Sequence, residues 1–224
     1  MDILDYTDKE SKLFGKWKDK EIHKDQVFIE DGILDPNLWF DANNKNLKIL
    51  LVLKEAYGGN ESWDLKELIR NDWRGPKYKI WWTVSYWLYG IQNGLKGINA
   101  KLPDEQELYK ECANYLLSAA VANIKKSSGK SYSESEDLKN YAQADKDELL
   151  QQIELINPDI ILCGSTKQYL DEIGIVSSPI EGITYFSKTK DDKILIDYYH
   201  PANQYPEALC YYTLVHLALK YHSI

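Results

Sequence analysis

Four short apolar runs constrain this chain more than any other feature. They are LKILLVL (47–53), AAVANI (119–124), DIILCG (159–164) and KILIDYY (193–199). Each is short for a helix and lacks the alternation of a half-solvated strand. Each therefore reads as a strand covered on both faces. Segments with helical spacing separate them. KYKIWWTVSYWLYGIQNG places Ile80, Val84, Trp87 and Ile91 on one face. DEQELYKECANYLLSA follows Pro103 and carries acids in its first turn, as a helix start should. EDLKNYAQADKDELLQQIELI predicts one long amphipathic helix that stops at Asn157-Pro158. STKQYLDEIG predicts a short helix capped by Ser165 and stopped by Gly174, and 206–221 predicts a last helix. Alternating strands and helices predict a three-layer α/β/α architecture around a central four-stranded parallel sheet. The 224 residues suit a single domain over 1–224, with 1–46 packed on it as a helix and loop extension. KKSSGKSYSESED (125–137) reads as a mobile loop.

The net charge of −8 argues against a protein whose whole surface grips phosphate, but it leaves room for a small basic groove. Cys112, Cys163 and Cys210 are far apart, with no CxxC pair, so they make no four-thiolate zinc or iron–sulfur site. An odd, scattered set suits a reducing compartment. The polar start MDILDYTDKESK is no signal peptide, and no apolar run approaches the roughly 18 residues of a membrane helix. The expectation is a cytoplasmic protein with no membrane partner, no cofactor and no metal. Two motifs fail on inspection. SSGKS would put the first glycine of a phosphate-binding loop at Ile124, and His216 and His222 are six apart on a helix, on different faces.

In an open parallel sheet, ligands bind beyond the carboxyl ends of the strands. The first run leads into KEAYGGN, which offers the Glu55 carboxylate, then Tyr57, and a tight Gly58-Gly59 turn that can approach a ligand. The second leads into NIKKSSGKS. Asn123 can donate and accept at once, which suits the edge of a nucleobase, and Lys125, Lys126 and Lys130 form a basic cluster. The third enters CGSTKQ, and the fourth ends in His200-Pro201. Trp63 and Trp73 sit in a loop-like stretch, placed to stack on a planar ligand, whereas Trp81, Trp82 and Trp87 read as core. Taken singly, each has a plain alternative: a solvated acid, a turn cap, a solvated lysine face, a structural histidine. Their joint placement at strand ends is what a site looks like.

Over roughly residues 47–220 the order of these pieces resembles the uracil-DNA glycosylase superfamily. LLVLKEAYGG resembles the family's first motif, AVANIKK the strand with the base-contacting asparagine, NPDIILCGSTKQYL the strand-to-helix segment beneath the site, and IDYYHPAN the His-Pro-Ser motif. The resemblance implies an enzyme that flips a damaged base out of DNA and cleaves its bond to the sugar. It implies that His200, with Pro201, stabilises the anionic leaving base and that Asn123 reads the base edge. Glu55 would orient or activate water or stabilise the sugar cation, and Trp73, with Trp63 as runner-up, would stack on the base. Tyr57 and Gly58 would belong to the substrate-binding loop, Lys54 and Tyr57 would add bulk close to where the base enters, Lys126, Ser127 and Ser128 would touch phosphate, and Tyr205 is the residue available as a wedge. The chain departs from the family at Lys54 (usually glycine), Tyr57 (proline) and Ala202 (serine). It also lacks the four cysteines that hold an iron–sulfur cluster in some members. The leading expectation is a DNA-repair hydrolase acting on uracil or another deaminated or damaged base. The alternative is a non-catalytic member of the same fold that binds a nucleotide, nucleic acid or protein partner, which the acidity favours. A third is a different small-molecule hydrolase using the same pocket.

Overall fold

The computed structural model describes residues 1–72, 79–98, 101–104, 108–130, 132–179 and 185–220. Helix α1 (Ile3–Lys18) starts at Asp2, whose side chain accepts the Asp5 N–H at 2.9 Å. Short strands β1 (Ile29–Glu30) and β2 (Gly32–Ile33) and helix α2 (Pro36–Trp39) follow. Then come β3 (Ile49–Tyr57), β4 (Trp63–Asp64), α3 (Leu65–Asp72), α4 (Lys79–Leu95), α5 (Leu108–Leu117) and β5 (Ala120–Gly129). The chain continues through α6 (Ser135–Ala144), α7 (Lys146–Ile156), β6 (Ile160–Gly164) and α8 (Lys167–Glu172). It ends with β7 (Val176–Pro179), β8 (Phe186–Thr189), β9 (Ile194–Tyr198) and α9 (Glu207–Leu219).

The main sheet has seven strands in the order β2-β5-β3-β6-β9-β8-β7. The four apolar runs form its centre, β5-β3-β6-β9, and all their pairings are parallel. The expected four-stranded parallel sheet is thus enlarged to a mixed one: β2 adds antiparallel to β5, and β8 and β7 add antiparallel beyond β9. These added strands are two to four residues long, too short to carry a legible period. Both faces of the centre are covered. Ile49, Leu51 and Leu53 of β3 pack in one cluster with Trp87 and Ile91 of α4 and Leu214 of α9. Leu50 and Val52 pack in the other with Phe14 of α1, Leu149 of α7 and Leu170 of α8. Each fully buried aliphatic side chain stabilises by about 1.5–3 kcal/mol, which is why period-two runs on two covered faces settle as central strands.

Three expectations change. The single long helix over 136–156 is two helices, broken at Asp145, where burial of that carboxylate against His23 overrides an unbroken helical pattern. The loop expected from 125 is the second half of β5, which runs to Gly129 and buries Lys125, Lys126 and Ser127. The extension over 1–46 supplies strand β2 to the sheet as well as α1.

A buried polar clamp ties that N-terminal part down. Lys126 Nζ, fully buried, donates to Asp31 Oδ1 (2.7 Å) and Oδ2 (2.9 Å), Asn123 O (3.0 Å) and Gln152 Oε1 (2.9 Å). It also lies 4.7 Å from the centre of the Trp17 ring. Asp31 in turn accepts from the backbone and side-chain nitrogens of Asn123 (2.8 and 3.1 Å) and from Gln152 Nε2 (2.8 Å). Burial pushes the Lys126 ammonium below the ordinary lysine range, and the Asp31 carboxylate pulls it back. Nearby, Lys66 donates to Glu10 at 2.8 Å, and Tyr6 donates to the same carboxylate. Asp31→Ala leaves a buried, uncompensated ammonium, so urea unfolding is expected to show a loss of about 3–5 kcal/mol. Joint replacement by Asp31→Leu and Lys126→Met is expected to cost less than the sum of the single changes. Strictly additive losses would show that the two side chains act independently.

Candidate functional site

The chain builds its notch by ending β6 early. β3 pairs with β6 as far as Val52 opposite Cys163 and then runs on to Tyr57, whereas β6 stops at Gly164. The turn through Gly164, Ser165 and Thr166 leaves a gap between the carboxyl ends of β3 and β9. Gly164 is closely packed there: a Cβ would lie 2.7 Å from Leu53 Cδ2 and 3.3 Å from Pro201 Cδ, so both neighbours would have to shift. Ser165 holds a left-handed conformation (φ +58°), which costs a non-glycine residue about 1–2 kcal/mol. Three hydrogen bonds offset that cost. Ser165 N donates to Tyr198 O (2.8 Å), Ser165 Oγ accepts the His200 N–H (3.0 Å), and Thr166 Oγ1 donates to Val52 O (2.7 Å). Ser165 is therefore a brace between strand ends rather than the expected helix cap, and strain held this way is characteristic of functional turns.

His200 stands on this brace, half-buried, with Pro201 buried beneath it. Its Nδ1 accepts the Ala202 N–H at 3.2 Å, so a neutral ring carries its proton on Nε2, free to donate. Burial, and then the Lys54 cation beside it, push the imidazole from 6.5 down to about 4. The stability linked to this shift is complete above the unfolded value and is lost as the pH falls through about 4, because the unfolded chain binds the proton first.

A cavity of about 470 Å³ is lined by Lys54, Ser165, Lys167, Tyr185, Asp197 and Tyr199, among others; His200 follows Tyr199 in the chain and is not itself a lining residue. Lys167 pairs with Asp171 at 2.6 Å. Neither the Lys54 ammonium nor the Asp197 carboxylate has a hydrogen-bond or ion-pair partner among the described residues. Burial raises the Asp197 carboxyl above the usual carboxylate range, with Lys167 opposing and Asp171 adding to the shift. Lys54 entered the sequence reading only as added bulk, and Asp197 was missed. The available signal was the lone acid inside the apolar run KILIDYY.

The other expected site residues do not gather here. Glu55 follows Lys54 in β3, but its side chain is only 5% exposed and faces Lys125 Nζ at 3.2 Å. Its carboxylate lies over Gly129, where an added Cβ would sit 2.3 Å from Glu55 Cδ. Lys125 goes on to Asp137 at 2.6 Å. Asn123 is 3% exposed and lies within β5 rather than at its end, and Asp31 occupies its amide. Lys126 and Ser127, expected at phosphate, are both fully buried, Lys126 on Asp31 and Ser127 on His23. Trp17 of α1 and Gln152 of α7 lie against Lys126 and His23 against Ser127, so neither side chain reaches the surface expected to meet phosphate. Of the basic cluster, only Lys130 is exposed, and it pairs with Glu134 at 2.8 Å.

Tyr57 is exposed, and Gly58 makes the expected tight turn at φ +105°. Gly58 accepts from Trp63 Nε1 at 3.0 Å, so Trp63 is folded against this turn and onto the core. Trp73 and His222 lie outside the described residues. Tyr205 is exposed and packs on Tyr199, with ring centres 4.8 Å apart. One further constellation, Ser127–His23–Asp145, has both ring nitrogens of His23 at 2.8 Å from their partners. Its side-chain types are those of a nucleophilic triad, but all three residues are buried, so it fastens the N-terminal segment to β5 and α7.

An NMR titration of His200 is expected to give a midpoint near 4, rising in Lys54→Met by the smaller part of the shift, since burial is its larger cause. A wild-type midpoint already near 6.5 would contradict the buried, neutral ring. In comparison with known proteins, no family model matches the chain, and no curated protein matches it in sequence.

Proposed function

We propose that the chain is a uracil-DNA glycosylase-like protein that hydrolyses the N-glycosidic bond of uracil or another deaminated or damaged base in DNA. One observation carries this reading: an imidazole held neutral at the end of a central parallel strand, with its remaining N–H on Nε2. A base leaving its sugar takes the bonding electrons with it. Negative charge then develops on its carbonyl oxygen, and a fixed N–H donor stabilises that charge without itself giving up a proton. Depressing the imidazole pKa keeps this donor in one state across neutral pH. Lys54, which lines the neighbouring cavity, places its positive charge close enough to His200 to act on it. The parallel centre β5-β3-β6-β9 and the aromatic walls Tyr185 and Tyr199 agree with a pocket for a flipped base.

A specific observation favours the alternative, a non-catalytic member of the same fold that binds a nucleotide, nucleic acid or protein partner. The Glu55 carboxylate, offered by the sequence as the group that handles water, is buried in an ion pair with Lys125. Hydrolysis through Glu55 requires that pair to open.

The test is base release from uracil-, xanthine- and hypoxanthine-containing oligonucleotides, single- and double-stranded. Release by the native chain, reduced about 10²- to 10³-fold in His200→Ala, is the expected outcome. Folded protein that binds oligonucleotide and releases no base would select the non-catalytic alternative.

A further inference from the structure

Resting on the base-binding reading of the cleft, we infer that Asp197 and Lys54 read the edge of the bound base. Asp197 accepts a ring N–H and Lys54 donates to the adjacent carbonyl. The ligand class is a planar heterocycle with a lactam edge, H–N–C=O, as in uracil, hypoxanthine and xanthine.

Three observations carry this. First, the side chain assigned to the edge on sequence grounds is spent: Asn123 is 3% exposed and donates to Asp31. Second, the cleft holds two opposite charges that do not satisfy one another. Lys54 and Asp197 line one cavity, on strands separated by β6, and no ion pair joins them or engages either among the described residues. Partly desolvated charges left apart in this way gain most from a ligand that presents an acceptor to one and a donor to the other. A lactam edge places those two groups on adjacent ring atoms. Third, two aromatic residues, Tyr185 and Tyr199, line the same cavity as the two charges, which suits a ring more than a flexible chain. The carboxylate has no donor of its own, so the ring N–H is the group whose loss this geometry punishes most.

The test measures binding, not cleavage. Uracil and 3-methyluracil, both taken as their N1-methyl derivatives so that the N–H which the sugar replaces is absent, are titrated into the full chain and followed by amide NMR shifts. 3-Methyluracil keeps both carbonyls and loses the N–H between them. The native chain is expected to bind uracil about 10- to 100-fold tighter than 3-methyluracil. Asp197→Ala is expected to weaken uracil to the level of 3-methyluracil and to leave 3-methyluracil unchanged. Asp197→Asn, which keeps an acceptor oxygen and the shape of the side chain, is expected to restore part of the difference, and thermal melting reports that each variant is folded. Lys54→Met is expected to weaken both ligands. Equal binding of the two ligands by the native chain, no uracil binding at all, or unchanged uracil binding by Asp197→Ala would overturn the inference. The two readings fail separately. The binding pattern without base release from oligonucleotides upholds the recognition pair and removes the hydrolase. Native-rate uracil release by Asp197→Ala upholds the hydrolase and removes the recognition pair.

Discussion

The ion pair between Asp31 and Lys126 is the constraint on which the rest of this structure depends. A lysine with no solvent exposure is tolerated only when its charge and all its donors are met. Here Asp31, Asn123 O and Gln152 meet them. Those partners come from the β1–β2 turn, β5 and α7, so satisfying one ammonium fixes three elements at once. Edge strand β2 follows Asp31 directly and is held against β5 by it. The N-terminal part is thereby built into the sheet and its flanking layer. The Glu10–Lys66 and His23–Asp145 contacts extend the same arrangement along α1 and the turn after it.

With that side of the sheet occupied by structural polar contacts, the open chemistry moves to the other side of β3. Lys54 and Glu55 are consecutive, yet one lines a cavity and the other is sealed beneath Lys125. The difference lies in their neighbours. β5 runs alongside β3 to Gly129 and covers Glu55, while β6 stops at Gly164 and uncovers Lys54. The cleft is the space left by a strand that ends early, and its floor is the strained Ser165 turn.

The central strands were legible because each is covered on both faces and so reads as an uninterrupted apolar run. The helices α4, α8 and α9 were legible from spacing and stop residues, and Gly174 adopts the φ of +79° that a helix stop requires. The break at Asp145 was hidden because nothing local calls for it. It is set by His23, 122 residues earlier. The same holds for Asn123. An amide next to a run of lysines looks available until Asp31, 92 residues away, is placed against it. His200 was legible because a histidine followed by proline marks the end of a strand. Its protonation state was not, since that depends on the Ala202 N–H, on burial and on Lys54. Asp197 was overlooked because it sits inside a run read as core. A single acid in such a run is better read as a side chain pointed out of the core toward something.

The long sequence separations in the N-terminal clamp also set the order in which the molecule assembles. Asp31 is translated well before its contacts, which are 95 residues on, at Lys126, and 121 residues on, at Gln152. Until β5 has left the ribosome, Asp31 has no counter-charge to dock against, and Lys126 lacks its Gln152 partner until α7 follows. Closing loops of this length is entropically slow, and parallel strands add to the delay. The nascent chain therefore carries the Asp31 turn without its clamp while the intervening residues are made.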